Sequence, residues 1–304
     1  MRQSWLFFIA IIITVASSMD AASAEAQDAI AEHVVVIGVD GMSPDGIANA
    51  DTPTMDTLIT NGASTMTARA VLPTSSSPNW ASMIMGAGPI HHGITSNGWK
   101  LDKHELTTVA IGSGGRFPTI FSILRDQRKD AVQACFYDWS GFGRLFHQDD
   151  LNVAADTKGP KVTTKRACEY IEANRPLFTF VHLDHVDHVG HDKGHGTPEY
   201  YESVTEADGY IGQILDAIDA AGIRAKTTVL ITSDHGGVKK GHGGSSRAEV
   251  EIPWILQGAG VKTGHAIATP VFTYDTAATA AHLLGLTAPE AWIANPVLDA
   301  LAGN

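Results

Sequence analysis

Three clusters of aspartate, histidine and serine stand out in this chain, and each begins where an apolar run stops. The clearest is Ser233-Asp234-His235-Gly236-Gly237, continued by Gly241-His242-Gly243, directly after Thr228-Val229-Leu230-Ile231. Carboxylates and imidazoles are ligands for divalent cations, and glycines let a backbone turn sharply and pass close to a bound group. A loop of this kind can present Asp234 and His235 to one cation and return His242, seven residues after His235, towards a second. The next cluster holds five histidines within the fourteen residues 182 to 195, beside Asp184, Asp187 and Asp192. A lone histidine is more often a surface or core group than a ligand, but this density after an apolar run points to metal binding by the cluster. The third is Asp40, closing the run His33 to Val39. Two cations in such a site can stabilise both the attacking and the leaving oxygen of a displacement.

A nucleophile is available between these clusters. Thr74-Ser75-Ser76-Ser77-Pro78-Asn79 precedes a helical stretch that stops at Gly86. Ser77 suits the N-cap and Pro78 the first helical position, which puts Ser76 beside free backbone N–H groups that favour an anion. A serine hydroxyl is weak on its own, there is no Gly-x-Ser-x-Gly elbow, and an adjacent cation would depress its pKa.

The elements that must position these residues alternate. Strands are expected at 33–40, 131–137, 177–183 and 227–233, and helices at 118–128, 161–173, 198–221 and 275–284. A short helix follows Thr52-Pro53, and Ile252 to Leu256 adds one more strand, whose Pro253 suggests an edge or a strand start. Histidines at 182, 185, 188 and 191 recur every three residues, but Gly190, Gly194 and Gly196 favour a loop over a helix there, and no His-Glu-x-x-His occurs. Strands alternating with helices imply a mostly parallel sheet covered on both faces, a three-layer α/β/α sandwich. Residues 87–116 and 138–160 show no clear periodicity, so substrate contacts are expected there. Trp99, Tyr137 and Trp139 are either packing groups or stacking surfaces.

Arg2, the apolar run Trp5 to Val15 and Ala22-Ser23-Ala24 form the pattern of a secretory signal. Residues 1–24 are therefore expected to be removed, leaving 25–304 as one catalytic domain in a secreted or periplasmic setting, with no stable membrane span. Lys plus Arg number 21 against 33 Asp plus Glu, a net charge of −12 that argues against a duplex nucleic-acid binder. Cys135 and Cys168 are the only cysteines. They form no Cys-x-x-Cys pattern, and whether they pair stays open.

Asp40-Gly41, Ser76-x-Pro78-Asn79, Asp187-x-x-Gly190-His191, Ser233-Asp234-His235-Gly236 and Gly241-His242-Gly243 together resemble the alkaline phosphatase superfamily, most of all its type I phosphodiesterase / nucleotide pyrophosphatase branch. The motifs run in family order from about residue 33 to about 290. The resemblance implies two zinc ions, one held by Asp187, His191 and His242 and the other by Asp40, Asp234, His235 and the nucleophile Ser76. It also implies that the Asn79 amide, with the Ser76 N–H, binds a phosphoryl oxygen. Manganese suits the same ligand set. One departure is plain: this branch usually has threonine where the chain has Ser76, so nucleophile identity does not set the class. The place of the sulfatase arginine is taken by Trp80. The implied activity is hydrolysis of a small phosphate ester or nucleotide, most of all a diester or pyrophosphate, through a phosphoseryl intermediate. A phosphomonoesterase, a phosphonate hydrolase and a non-catalytic zinc-binding protein are the alternatives. Oligomeric state is not written in the sequence.

Overall fold

The computed structural model describes residues 28–303, so the expected leader lies outside the described residues. The strands are β1 (His33–Val39), β2 (Ala63–Arg69), β3 (Gln133–Tyr137), β4 (Val153–Asp156), β5 (Phe178–Leu183), β6 (Thr227–Thr232), β7 (Glu251–Gly258) and β8 (His265–Ala266). The helices are α1 (Pro44–Asn49), α2 (Pro53–Thr60), α3 (Ser76–Met85), α4 (Pro89–His92), α5 (Ile120–Gln127), α6 (Pro160–Asn174), α7 (His185–Asp192), α8 (Pro198–Ala220), α9 (Arg247–Val250) and α10 (Asp275–Leu283).

All eight strands join one sheet in the order β4-β3-β5-β1-β6-β7-β2-β8. Only β7 runs against the rest, pairing antiparallel with both β6 and β2. Alternate residues of β1 divide between two cores: Val34 and Val36 pack with Trp80, Phe121 and Phe180 on one face, while Val35, Ile37 and Val39 pack with Ile211, Ile214 and Ile218 of α8 on the other. Burial on both faces is why the parallel strands read as unbroken apolar runs. The three-layer, mostly parallel sandwich expected above is the fold.

Several details differ from expectation. β7 is an interior strand despite Pro253. The missing N–H is tolerated because the β2 register shifts opposite it, between Thr65 and Ala68. Residues 185–192 form α7 rather than a loop. Gly190 is not a breaker there: a Cβ at 190 would meet His195 Nε2 at 2.4 Å, and one at 237 would meet it at 2.2 Å. These two glycines make room for the His195 ring. Helix α3 starts at Ser76 with Ser75 as N-cap, two residues earlier than the Ser77 expectation, and stops on the left-handed Gly86 (φ 59°). Cys135 and Cys168 are both free thiols: Cys135 is buried in one core, and Cys168 is half-buried on α6 against the core of the opposite face. Among the described residues no helix is long and apolar enough to cross a membrane.

Candidate functional site

The carboxyl ends of β1, β5 and β6 lie side by side, because β1 pairs with β5 on one side and β6 on the other. Asp40, the turn into α7, and Asp234-His235 therefore converge at one edge of the sheet, where ligands of open α/β sheets bind. Helix α3 brings Ser76 to the same place and the glycine loop returns His242.

Asp40, His191, Asp234, His235 and His242 are each held by one side-chain atom and offer another. His235 Nδ1 lies 2.9 Å from Gly236 O, His242 Nδ1 2.8 Å from Thr74 O and His191 Nδ1 2.9 Å from Lys240 O. A carbonyl only accepts, so each Nδ1 carries the proton and each Nε2 presents a lone pair. The carboxylates behave alike. Asp40 Oδ2 accepts from the Trp80 indole at 2.9 Å, and Asp234 Oδ1 accepts from the Gly41 N–H at 3.2 Å. Asp40 Oδ1, Asp187 Oδ1 and Asp234 Oδ2 are buried without a hydrogen-bond partner.

The free atoms face each other. His235 Nε2 lies 3.4 Å from Asp40 Oδ1, 3.2 Å from Asp234 Oδ2 and 3.4 Å from Ser76 Oγ. Asp187 Oδ2 lies 3.2 Å from His191 Nε2, and His191 Nε2 lies 3.1 Å from His242 Nε2. Ligand atoms of Asp40, Asp234 and His235, and separately of Asp187, His235 and His242, fall within 4.8 Å of one another. Burial together with the nearby Asp40 and Asp184 pushes Asp187 up to about 9, and burial beside Asp40 and Asp187 raises Asp234 well above the carboxylate range. Burial also depresses His235 to about 3. Two facing imidazole lone pairs and three unpartnered buried carboxylate oxygens each cost several kcal/mol unless compensated, against a total domain stability of only about 5–15 kcal/mol. The donor set, its protonation and its spacing fit a pair of divalent cations.

All seven metal-ligand candidates from the sequence, Asp40, Ser76, Asp187, His191, Asp234, His235 and His242, are brought together. The Asn79 expectation is corrected. Its amide is fully buried and committed, with Oδ1 accepting from Val71 N–H at 2.7 Å and Nδ2 reaching Val71 O (3.2 Å), Pro73 O (3.0 Å) and Ser75 O (3.0 Å). Asn79 staples the turn before α3 and has no donor left for a substrate. The amide that does reach the helix start is Asn97, whose Oδ1 accepts from the Ser77 N–H at 2.7 Å. That bond must use the oxygen, which leaves the Nδ2 donors for another acceptor. Asn97 lies in the aperiodic stretch 87–116, where only its position in an expected substrate loop pointed to it.

Two further groups hold Asp40, a role that their place in the sequence did not indicate. Trp80 packs where any side chain at Gly38 would collide, a Cβ there meeting its ring at 2.4 Å, and this close seat delivers its indole to Asp40. His182 is fully buried between Asp40 (3.4 Å) and Asp138 (3.5 Å). Burial alone would lower His182, but those two carboxylates hold it at about 10, and His182, His235 and the indole together keep Asp40 well below the carboxylate range. Of the candidate stacking aromatics, Trp99 and Tyr137 are core groups and Trp139 is half-buried.

The profile of the type I phosphodiesterase / nucleotide pyrophosphatase family matches residues 34–240. An uncharacterized pyrophosphatase/phosphodiesterase of Schizosaccharomyces pombe is 23% identical over 215 residues, which is 67% of this chain and 44% of that protein. Ectonucleotide pyrophosphatase/phosphodiesterase 1 of Saccharomyces cerevisiae is 24% identical over 250 residues, 66% of this chain and 33% of that protein. The chain thus spans less than half the length of these relatives. In three dimensions it resembles an inactive variant of murine ectonucleotide pyrophosphatase / phosphodiesterase 5 in complex with AMP, with a TM-score of 0.73 and 16% identity over 89% of this chain and 100% of that one.

Proposed function

The chain belongs to the type I phosphodiesterase / nucleotide pyrophosphatase family, and on that premise we propose that it hydrolyses phosphate esters, chiefly phosphodiester or pyrophosphate bonds of nucleotide-like molecules. The observation that supports this most is the set of three imidazoles that spend Nδ1 on carbonyls and turn Nε2 on carboxylates, with the Ser76 hydroxyl 3.4 Å from one of them. Asp40, Asp234 and His235 would hold one cation, and Asp187, His191 and His242 the other. Zinc is the metal that the family resemblance suggests, and manganese suits the same donors. Bound there, such cations supply positive charge for the oxygens exchanged at phosphorus and lower the pKa of a nearby hydroxyl or water.

The protein's own groups do the rest. Ser76 Oγ gives up its proton to solvent and forms a bond to phosphorus as the bond to the leaving oxygen breaks; the departing oxygen takes up a proton from solvent, leaving a phosphoseryl chain and an alcohol or phosphate. Water then attacks the same phosphorus, Ser76 Oγ departs and recovers a proton, and the product is released. The Ser76 N–H, among the first-turn donors of α3 without an intrahelical partner, holds one non-bridging oxygen with the helix dipole behind it. Asn97 Nδ2 donates to another, an arrangement worth about a hundredfold in rate for one such donor. Trp80 and His182 keep the Asp40 carboxylate ionised and aimed.

Residues from about 25 onward act as a single catalytic domain outside the cytoplasm in this reading, and the AMP bound by the murine relative is in keeping with a nucleotide-sized substrate. A monoesterase on the same residues is the second reading, favoured by serine in place of the branch's usual threonine. Hydrolysis of bis-p-nitrophenyl phosphate and of NAD by the cation-loaded chain, abolished by a chelator, is the expected result. Exclusive hydrolysis of p-nitrophenyl phosphate moves the assignment to the second reading, and no hydrolysis of any ester removes both.

A further inference from the structure

One arginine beside this site has no assigned task. Arg144 lies in the turn after β3, within the aperiodic stretch 138–160, and its side chain crosses to the start of α3. One terminal nitrogen donates to Asn97 O at 2.8 Å and lies 3.5 Å from Ser77 Oγ, the hydroxyl next to Ser76. Its guanidinium carbon sits 5.9 Å over the Trp139 ring, and its own carbonyl is fixed by Arg116 Nε at 2.8 Å. The backbone and the aromatic plane both limit where the fork can go.

Arg69 and Arg247 pair with Glu251, whereas Arg144, like the half-buried Arg125 and Arg224, has no carboxylate within ion-pairing distance among the described residues. Its acceptors are three neutral oxygens, Asn97 O and Ser77 Oγ on one terminal nitrogen and Gly141 O on Nε at 3.4 Å, so both donors of the other terminal nitrogen are unspent. It sits against the two residues, Ser77 and Asn97, whose mutual bond frames the anion-binding start of α3. A fork in this position matches two oxygens on a phosphoryl-type group, which a lysine's point charge does not.

We propose that Arg144 is a specificity residue that reads a second anionic oxygen next to the bond being broken, and so selects substrates with two negative charges there over simple diesters with one. The extra charge has two sources in the same chemistry: the dianion of a terminal phosphate, or the neighbouring phosphate of a pyrophosphate. The inference rests on the hydrolase reading above, and goes beyond it by naming the charge state of the preferred substrate. Asn97 and the N–H groups of α3 serve the oxygen every phosphate ester has, while Arg144 serves the one that only some possess.

The test compares wild type, Arg144→Ala and Arg144→Lys on three substrates: bis-p-nitrophenyl phosphate (one charge), p-nitrophenyl phosphate (a dianion) and NAD (a pyrophosphate). Arg144→Ala is expected to lower kcat/KM for at least one two-charge substrate by about 10- to 100-fold, with bis-p-nitrophenyl phosphate changed by less than about threefold. Arg144→Lys is expected to recover part of the loss. Loss confined to p-nitrophenyl phosphate assigns the dianion, and loss confined to NAD assigns the pyrophosphate. An equal fall on all three means that Arg144 only braces the Asn97 turn and overturns the proposal, as does no change on any. Should wild type hydrolyse none of them, the hydrolase reading fails, and calorimetric binding of inorganic phosphate to zinc-loaded protein still decides this one. Weaker binding by Arg144→Ala at equal zinc content upholds the anion subsite, and equal binding removes it.

Discussion

The two halves of the candidate site are built differently. Asp40, Asp234 and His235 come from adjacent strand ends, and their side chains are 1%, 0% and 0% exposed. Asp187, His191 and His242 come from a helix and a glycine loop, and are 12%, 47% and 9% exposed. The inner half is packed under Ser76 and wired to the core through Trp80 and His182. The outer half opens to solvent mainly at His191, and its two imidazoles are held by carbonyls of two different loops, Lys240 O and Thr74 O. Chemistry that must be shielded and aimed belongs on the inner side, and chemistry that exchanges water and leaving groups belongs on the outer.

The largest effect should come from the nucleophile at the boundary. Ser76→Ala is expected to lower kcat by about 10⁴-fold or more while metal analysis finds the cation content of wild type. Activity within about tenfold of wild type would take Ser76 out of the chemistry. The contrast between halves is sharpened by Asp234→Asn and His191→Ala. Removing the buried charge should lose both cations and lower the melting temperature of the loaded protein, whereas the exposed histidine should cost one cation and about a hundredfold in kcat with little change in melting temperature. Equal metal loss in the two variants would erase the distinction.

A smaller effect follows from the charge crowding. Asp187, at about 9 when folded and 3.8 in the unfolded chain, keeps a proton that the unfolded chain has released, so metal-free stability falls as pH rises towards 9. Buried Asp234, also raised, acts with the same sign. His182, at about 10 against 6.5 unfolded, stabilises fully below 6.5 and loses that contribution as pH rises through 10. His235, at about 3, is neutral in both states above pH 7 and contributes nothing there. Calorimetry of chelator-treated protein should therefore show the melting temperature falling by about 2–6 °C from pH 7 to about 8.5, and the gap to zinc-loaded protein widening. A constant gap would mean that the cations do not answer this charge.

The smallest contrast is between two asparagines. Asn97→Ala should lower kcat by about a hundredfold with the melting temperature unchanged, while Asn79→Ala should cost about 1–3 kcal/mol of stability by removing four half-buried polar contacts. The reverse pattern in denaturant melts and assays would restore Asn79 to the substrate.

This pair also marks how far the sequence could be read. The inner half was legible because β1 and β6 are buried on both faces and read as apolar runs that end at the candidate ligands. The outer ligands were legible from residue type, but their backbone was not. Gly190 read as a helix breaker, when its role is to admit the His195 ring from five residues further on. Asn79 beside Pro78 invited a substrate role that its buried position denies, and Asn97 sits in a stretch without periodicity. Strand β2, Ala63-Ser-Thr-Met-Thr-Ala-Arg69, carries no apolar pattern because it lies near the sheet edge with partly exposed residues. Such strands are set by their neighbours rather than by their own composition.

The central claim is that Ser76 takes the phosphoryl group. The most direct test is to quench the cation-loaded protein with acid during turnover of a phosphate ester and to map the modified peptide by mass spectrometry. A phosphoryl group on Ser76, absent when substrate is omitted, is the predicted result. Turnover with Ser76 unmodified, and with oxygen from solvent water entering the product at the first chemical step, would contradict it.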